Sequence, residues 1–170
     1  MSTDHRRYLV VEQGVGSAVF NFFLNGGIAW LLFRGLETVP LWGQQSIAGD
    51  TIGTCILLPL LTCLIGTRLV RGQLHAGKVL PLDWTRASHP VLGWLPHRTL
   101  ARGFVLAALG VALLAPAAIL VLQALDVDGM RFWPFILFKA SFAAAAAAVV
   151  TPVVALWAIA ESASHPRPHL

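Results

Sequence analysis

Four long apolar runs divide this chain, and nearly all of its charge falls between them. The runs cover about residues 9–33, 51–70, 100–125 and 134–160. The hydrocarbon core of a bilayer is about 30 Å thick and needs roughly 20 helical residues to cross. Each run is long enough. Backbone groups in hydrocarbon must find their partners within the spanning segment, so each run predicts a helix. The strict alternation of a membrane barrel is absent. The expected fold is all-α, an integral membrane bundle of four transmembrane helices in a single membrane domain over 1–170. No internal repeat stands out, and a second domain has no room.

Composition points the same way. The chain is 56% hydrophobic and 12% charged, with a mean hydropathy of +0.72. Soluble chains carry about a quarter charged residues. That excludes a soluble enzyme, a disordered tail and a disulfide scaffold. Cys55 and Cys63 lie eight residues apart in one expected helix, about 12 Å along its axis. A disulfide tolerates roughly 7 Å between Cα atoms, so the two cannot bridge.

Charge sets an expected orientation. Arg6, Arg7, Arg68, Arg71, Lys78, Arg86, Arg98, Arg102 and Arg167 fall at the termini and in the connection between the second and third runs. Only Arg34 and Arg131 fall in the other two connections. Basic residues favour the cytoplasmic side, which places both termini and that connection there. Arg6 and Arg7 ahead of an apolar run resemble a signal peptide. Glu12, Gln13, Asn21 and Asn25 interrupt the run, however, and no small-residue cleavage site closes it, so an uncleaved anchor is expected. Trp30, Trp42 and Trp133 should mark the outer interface, with Tyr8, Trp84, Trp94 and Trp157 toward the inner one. The connection over about 71–98 mixes prolines, tryptophans and basic residues. It reads either as a segment lying on an anionic leaflet or as a loop packed beneath the bundle. On the first reading Arg71, Lys78, Trp84, Arg86, Trp94 and Arg98 touch lipid headgroups.

Polar side chains are costly inside a membrane, which makes them the candidates for function. Gly14, Ser17, Asn21 and Asn25 form one stripe on the first helix. The two asparagines either hold a neighbouring helix or line a path for a solute. Glu12 lies on the opposite side and could pair with Arg68, Arg71 or Arg102. Asp50 reads either as the N-cap of the second helix or, with Thr54, as a ligand at an outward mouth. Lys139, about six residues inside the fourth helix, either snorkels to the interface or needs an acid. Asp50 is the only acid at comparable depth. Asn25, Asp50, Thr54 and Lys139 therefore form one expected outer layer drawn from three helices, with Asn21 below it. Gly49 and Gly53, and Ala143 and Ala147 within the alanine run, offer faces for close helix packing. Pro59, Pro116 and Pro152 each permit a kink.

No histidine lies within a run, which argues against a haem held between helices. The histidines in the long connection match no metal-binding spacing. No phosphate loop, nucleophile elbow or paired-acid motif is present. The expectation is therefore no enzyme, no cofactor and no metal. The net charge of +4 follows from topology, so nucleic acid is not an expected partner.

The segments Phe20–Gly27 and Phe138–Pro152 resemble those of small uncharacterised four-helix membrane proteins of bacteria. That resemblance implies a bacterial inner membrane and a four-helix plan across the four runs, and it brings no activity. Two functions are then expected to compete, with a lipid-binding or lipid-modifying protein, suggested by the basic connection, ranked below both. One is an oligomeric transporter or channel for a small polar solute or ion. The other is a non-catalytic accessory or assembly subunit of a larger membrane complex. The expected partners are membrane lipids, with further copies of the chain or the subunits of such a complex.

Overall fold

The structure, a computed structural model, describes residues 7–77, 96 and 98–163, without the side chains of 162 and 163. Four helices dominate it: α1 Tyr8–Phe33, α2 Ile47–His75 and α3 Thr99–Ala124, then α4 Phe132–Ala163. All four are long and apolar enough to cross a membrane. Two short strands, β1 Thr38–Pro40 and β2 Gly129–Arg131, join the α1–α2 and α3–α4 connections.

The helix ends differ from expectation in instructive ways. Helix α2 starts at Ile47, before the expected boundary at 51. Ser46 is extended at φ −130° and ψ 160°, and its Oγ accepts the Gly49 amide at 3.1 Å. Ser46 is therefore the N-cap, and Asp50 lies inside the first turn. At its other end α2 runs on to His75, so Arg71 belongs to a helix rather than to the connection. Lys78, Trp84, Arg86 and Trp94 lie outside the described residues. Helix α3 ends where Asp126 turns to φ 53° and the Val127 amide returns to the Leu122 carbonyl at 3.0 Å. Aspartate is one of the few residues that adopt this left-handed turn at low cost. Wider turns with i→i+5 bonding interrupt α2 over Thr62–Gly66 and α3 over Gly110–Leu114. They follow Pro59 and precede Pro116 respectively. Proline removes a backbone donor, and the ladder reorganises around the gap.

The strands pair antiparallel with Thr38 opposite Arg131, Val39 opposite Met130 and Pro40 opposite Gly129. A Cβ on Gly129 would stand 3.0 Å from the Val39 carbonyl, so only glycine permits this approach. The ribbon covers one end of the bundle, called the ribbon end below. Val39, Ile47 and Phe135 are fully buried beneath it, and Phe33 packs on Phe135 at 4.7 Å between ring centroids. The N-terminus of α1, the C-terminus of α2, the N-terminus of α3 and the C-terminus of α4 meet at the opposite, termini end.

Packing runs in the order α1, α4, α2, α3. Small residues permit the close approaches. A Cβ at Gly26 would touch Ala140 at 3.4 Å, and one at Gly110 would lie 3.2 Å from the Cys55 carbonyl. Ala143 and Ala147 are fully buried with Leu58 in the middle layer, so the alanine face works inside the bundle. Gly49 and Gly53 do not pack helices here. A Cβ at Gly53 meets nothing within 4 Å, and one at Gly49 meets only the adjoining N-cap loop. Cys55 and Cys63 are free and buried.

Candidate functional site

Asp50 and Lys139 reach each other across the α2–α4 contact. Lys139 Nζ stands 2.6 Å from Asp50 Oδ2, and the side chains are only 5% and 11% exposed respectively. The Lys139 ammonium also donates to Thr54 Oγ1, with the Asp50 carbonyl at 3.5 Å. Three oxygens thus surround a group with three protons to give. The threonine hydroxyl in turn donates to the Asp50 carbonyl at 2.8 Å, as Thr51 does to Ile47 at 2.7 Å. Asp50 Oδ2 has no other donor, so the ion pair alone balances that buried oxygen.

Local sequence explains the placement. Asp50 and Thr54 are four residues apart and share one face of α2. The carboxylate also lies in the first turn, where the helix macrodipole favours negative charge. Phe135 precedes Lys139 by one turn, and Ile47 precedes Thr51 by one turn. Both apolar side chains are fully buried, and they screen the pair from water at the ribbon end. A low-dielectric setting strengthens such a pair and raises the cost of breaking it. Of the two expectations for Lys139, pairing with Asp50 is the one seen. The side chain turns inward and does not snorkel.

Asn21 and Asn25 are half-buried on the α4 side of α1, yet their amides turn back along their own helix. Asn21 Nδ2 donates to the Ser17 carbonyl at 2.9 Å. Asn25 Nδ2 donates to the Asn21 carbonyl at 3.1 Å and to its Oδ1 at 3.3 Å. Only Ser17 crosses, reaching the Ala147 carbonyl at 3.3 Å. Gly26 against Ala140 places Asn25 level with Lys139. The expected layer therefore exists in depth, but three of its four members meet and Asn25 does not join them.

The termini end holds a second polar group, which reading by position undervalued. Arg102 is completely buried, stacked 3.5 Å over the ring of Trp157 and donating to Thr67 Oγ1 at 2.8 Å. Trp157, expected toward the inner interface, is turned into the bundle and fully buried, with its ring under the guanidinium. Arg71 pairs with Glu161, so neither Arg71 nor Arg102 is the partner of Glu12, which is exposed. Tyr8 donates to Gln73 and accepts from Gln13 Nε2 at 2.8 Å, tying α1 to α2. Arg98 is exposed at the start of α3.

No family model, curated protein or solved structure matches the chain. The site therefore rests on its own geometry. Among the described residues no three His, Cys, Asp or Glu side chains gather as a metal site. What the Asp50–Thr54–Lys139 cluster offers is a set of hard oxygen donors already occupied by a tethered cation. Oxygens of this kind are also the donors that hard cations take.

Proposed function

We propose that the protein is a small transporter or channel of the bacterial inner membrane. It works as an oligomer, has both termini in the cytoplasm and passes a small polar solute or ion. The observation that carries this reading is the Asp50–Lys139 pair, held between two membrane-length helices, with Thr54 accepting from the lysine and donating to the Asp50 carbonyl. Ionisable side chains at such depth are costly and mark pathways for ions and solutes. In this scheme a cation or proton arriving at Asp50 displaces the Lys139 ammonium, and α2 shifts against α4. The tightly packed middle layer of Ala143 and Ala147 favours a route along the bundle or between copies. The competing reading, an accessory subunit, draws on α1, whose Phe20 and Phe23 are 65% and 72% exposed and available to other chains.

Flux through proteoliposomes tests the proposal, with a panel of monovalent cations and small polar solutes. Asp50→Asn and Lys139→Met should each abolish flux of whichever solute the native protein passes. Asn25→Leu should reduce it less, because that carboxamide turns into its own helix. A Asp50→Lys, Lys139→Asp exchange should restore folding without restoring flux. Native flux that survives Asp50→Asn unchanged would sink the site assignment. A native protein that passes nothing and co-purifies with foreign subunits would favour the accessory reading.

A further inference from the structure

The Asp50–Lys139 pair leaves the other buried cation, Arg102, unexplained. Its guanidinium is 0% exposed. One nitrogen, Nη2, donates to Thr67, and the plane rests on Trp157. Nε and Nη1 are buried and have no hydrogen-bond partner. Stacking on an indole stabilises the charge but leaves the N–H groups in the plane unmet. Orphaned donors on a charged group are rare in a native interior and ask for an acceptor.

Among the described residues, the Cys63 thiol stands beside the Arg102 guanidinium, and Glu161 and Arg71 lie within electrostatic range of it. Glu161 is already held by Arg71. Arg98, one turn before Arg102, lies on the same side of α3. The N-terminus of α3 adds partial positive charge. Arg98 is its N-cap and offers no side-chain acceptor. The first intrahelical bond runs from the Arg102 amide to the Arg98 carbonyl, so the Thr99, Leu100 and Ala101 amides precede any helical acceptor. Side chains on a helix lean toward its N-terminus, which directs Arg102 back to this end. A helix N-terminus with two unmet guanidinium donors of a buried arginine beneath it suits an anion.

We propose that this corner of the termini end binds a phosphate group, with Arg102 as its base, Arg98 at its rim and the first turn of α3 as its amide cradle. Arg102 lies four residues inside the helix, roughly 6 Å, at the depth where a bilayer passes from hydrocarbon to headgroup. A phospholipid headgroup and free inorganic phosphate share the chemistry this corner recognises, and basic recesses between membrane helices take such headgroups. The site is separate from the Asp50–Lys139 cluster and stands whether or not the protein transports.

The test uses the full chain in dodecyl maltoside micelles, whose sugar headgroups carry no phosphate. Its thermal unfolding midpoint is read with and without phosphatidylglycerol in the micelle, and separately with inorganic phosphate in solution. A rise with phosphatidylglycerol alone assigns the site to a headgroup, and a rise with phosphate assigns it to the free anion. Apparent affinity for the ligand that raises the midpoint should fall on the order of tenfold or more in Arg102→Met, the loss of a charge-assisted hydrogen bond. Arg98→Gln should weaken binding less, and Arg7→Gln on α1 should leave it unchanged. Each variant is compared by its own ligand-induced shift, so a change in basal stability does not confuse the result. No rise with either ligand, or a rise that Arg102→Met retains in full, overturns the proposal.

Discussion

A buried lysine inside a membrane-length helix survives only because one carboxylate is in reach, and that dependence is directly measurable. Lys139→Met leaves Asp50 charged with no counter-ion, and should cost about 3–5 kcal/mol of stability. The double variant Asp50→Leu, Lys139→Met removes both charges and should recover most of that loss. Equilibrium unfolding in mixed detergent reads both, and additive losses would show that the pair is not coupled. The sequence left this pairing as one of two readings, because depth along each run gave Lys139 either the interface to reach or one acid to meet. Arg102 was not legible. Counted with the basic connection it reads as one more inner-face charge, and only the packing of α3 shows it buried over Trp157. The spacing from Arg98 to Arg102, followed at once by Gly103, was the available signal. Asn25 shows the opposite failure, since depth alone could not reveal that its amide turns back to Asn21.

At the scale of elements, small residues decide which helices touch. Gly110 lies against the backbone of α2, where a Cβ would stand 3.2 Å from the Cys55 carbonyl. Gly110→Ala must push α3 off α2 and should cost about 1–3 kcal/mol. Gly53 opens on empty space, so Gly53→Ala should be neutral or gain up to about 1 kcal/mol. The same unfolding assay separates them, and equal losses would place a packing partner on Gly53. Sequence spacing marked Gly49 and Gly53 and passed over Gly110, because a small-residue repeat says that a close approach is possible and not where it occurs. Helix boundaries follow the same logic. Ser46→Ala should remove the cap of α2 and cost about 1 kcal/mol. The cap was hidden because Asp50, nearer the apolar run, is itself a good cap residue and drew that reading. The ribbon was hidden for a different reason: strands of three residues with Pro40 and Gly129 at their ends carry no period to detect.

Across the whole molecule, four antiparallel helices bring the start of α1 and the end of α4 to one end of the bundle. Arg7, Arg68, Arg71, Arg98 and Arg102 gather at the termini end, against Arg34 and Arg131 at the ribbon end. By the positive-inside rule, the orientation proposed above sets the termini end in the cytoplasm and the ribbon outside. Gln44 and Ala76 are exposed at opposite ends, and the native thiols are 3% and 0% exposed, so background labelling should be low. In a Cys55→Ala, Cys63→Ala background, Gln44→Cys should react with an impermeant maleimide on intact cells. Ala76→Cys should react only after the membrane is opened. The reverse pattern would invert the protein. The Asp50–Lys139 cluster would then lie near the cytoplasmic mouth and the Arg102 corner would face the outer leaflet. Orientation therefore joins the two sites. With the termini inside, the ion pair lies beneath an outward-facing lid and the arginine corner meets the anionic inner leaflet, where a headgroup phosphate is at hand.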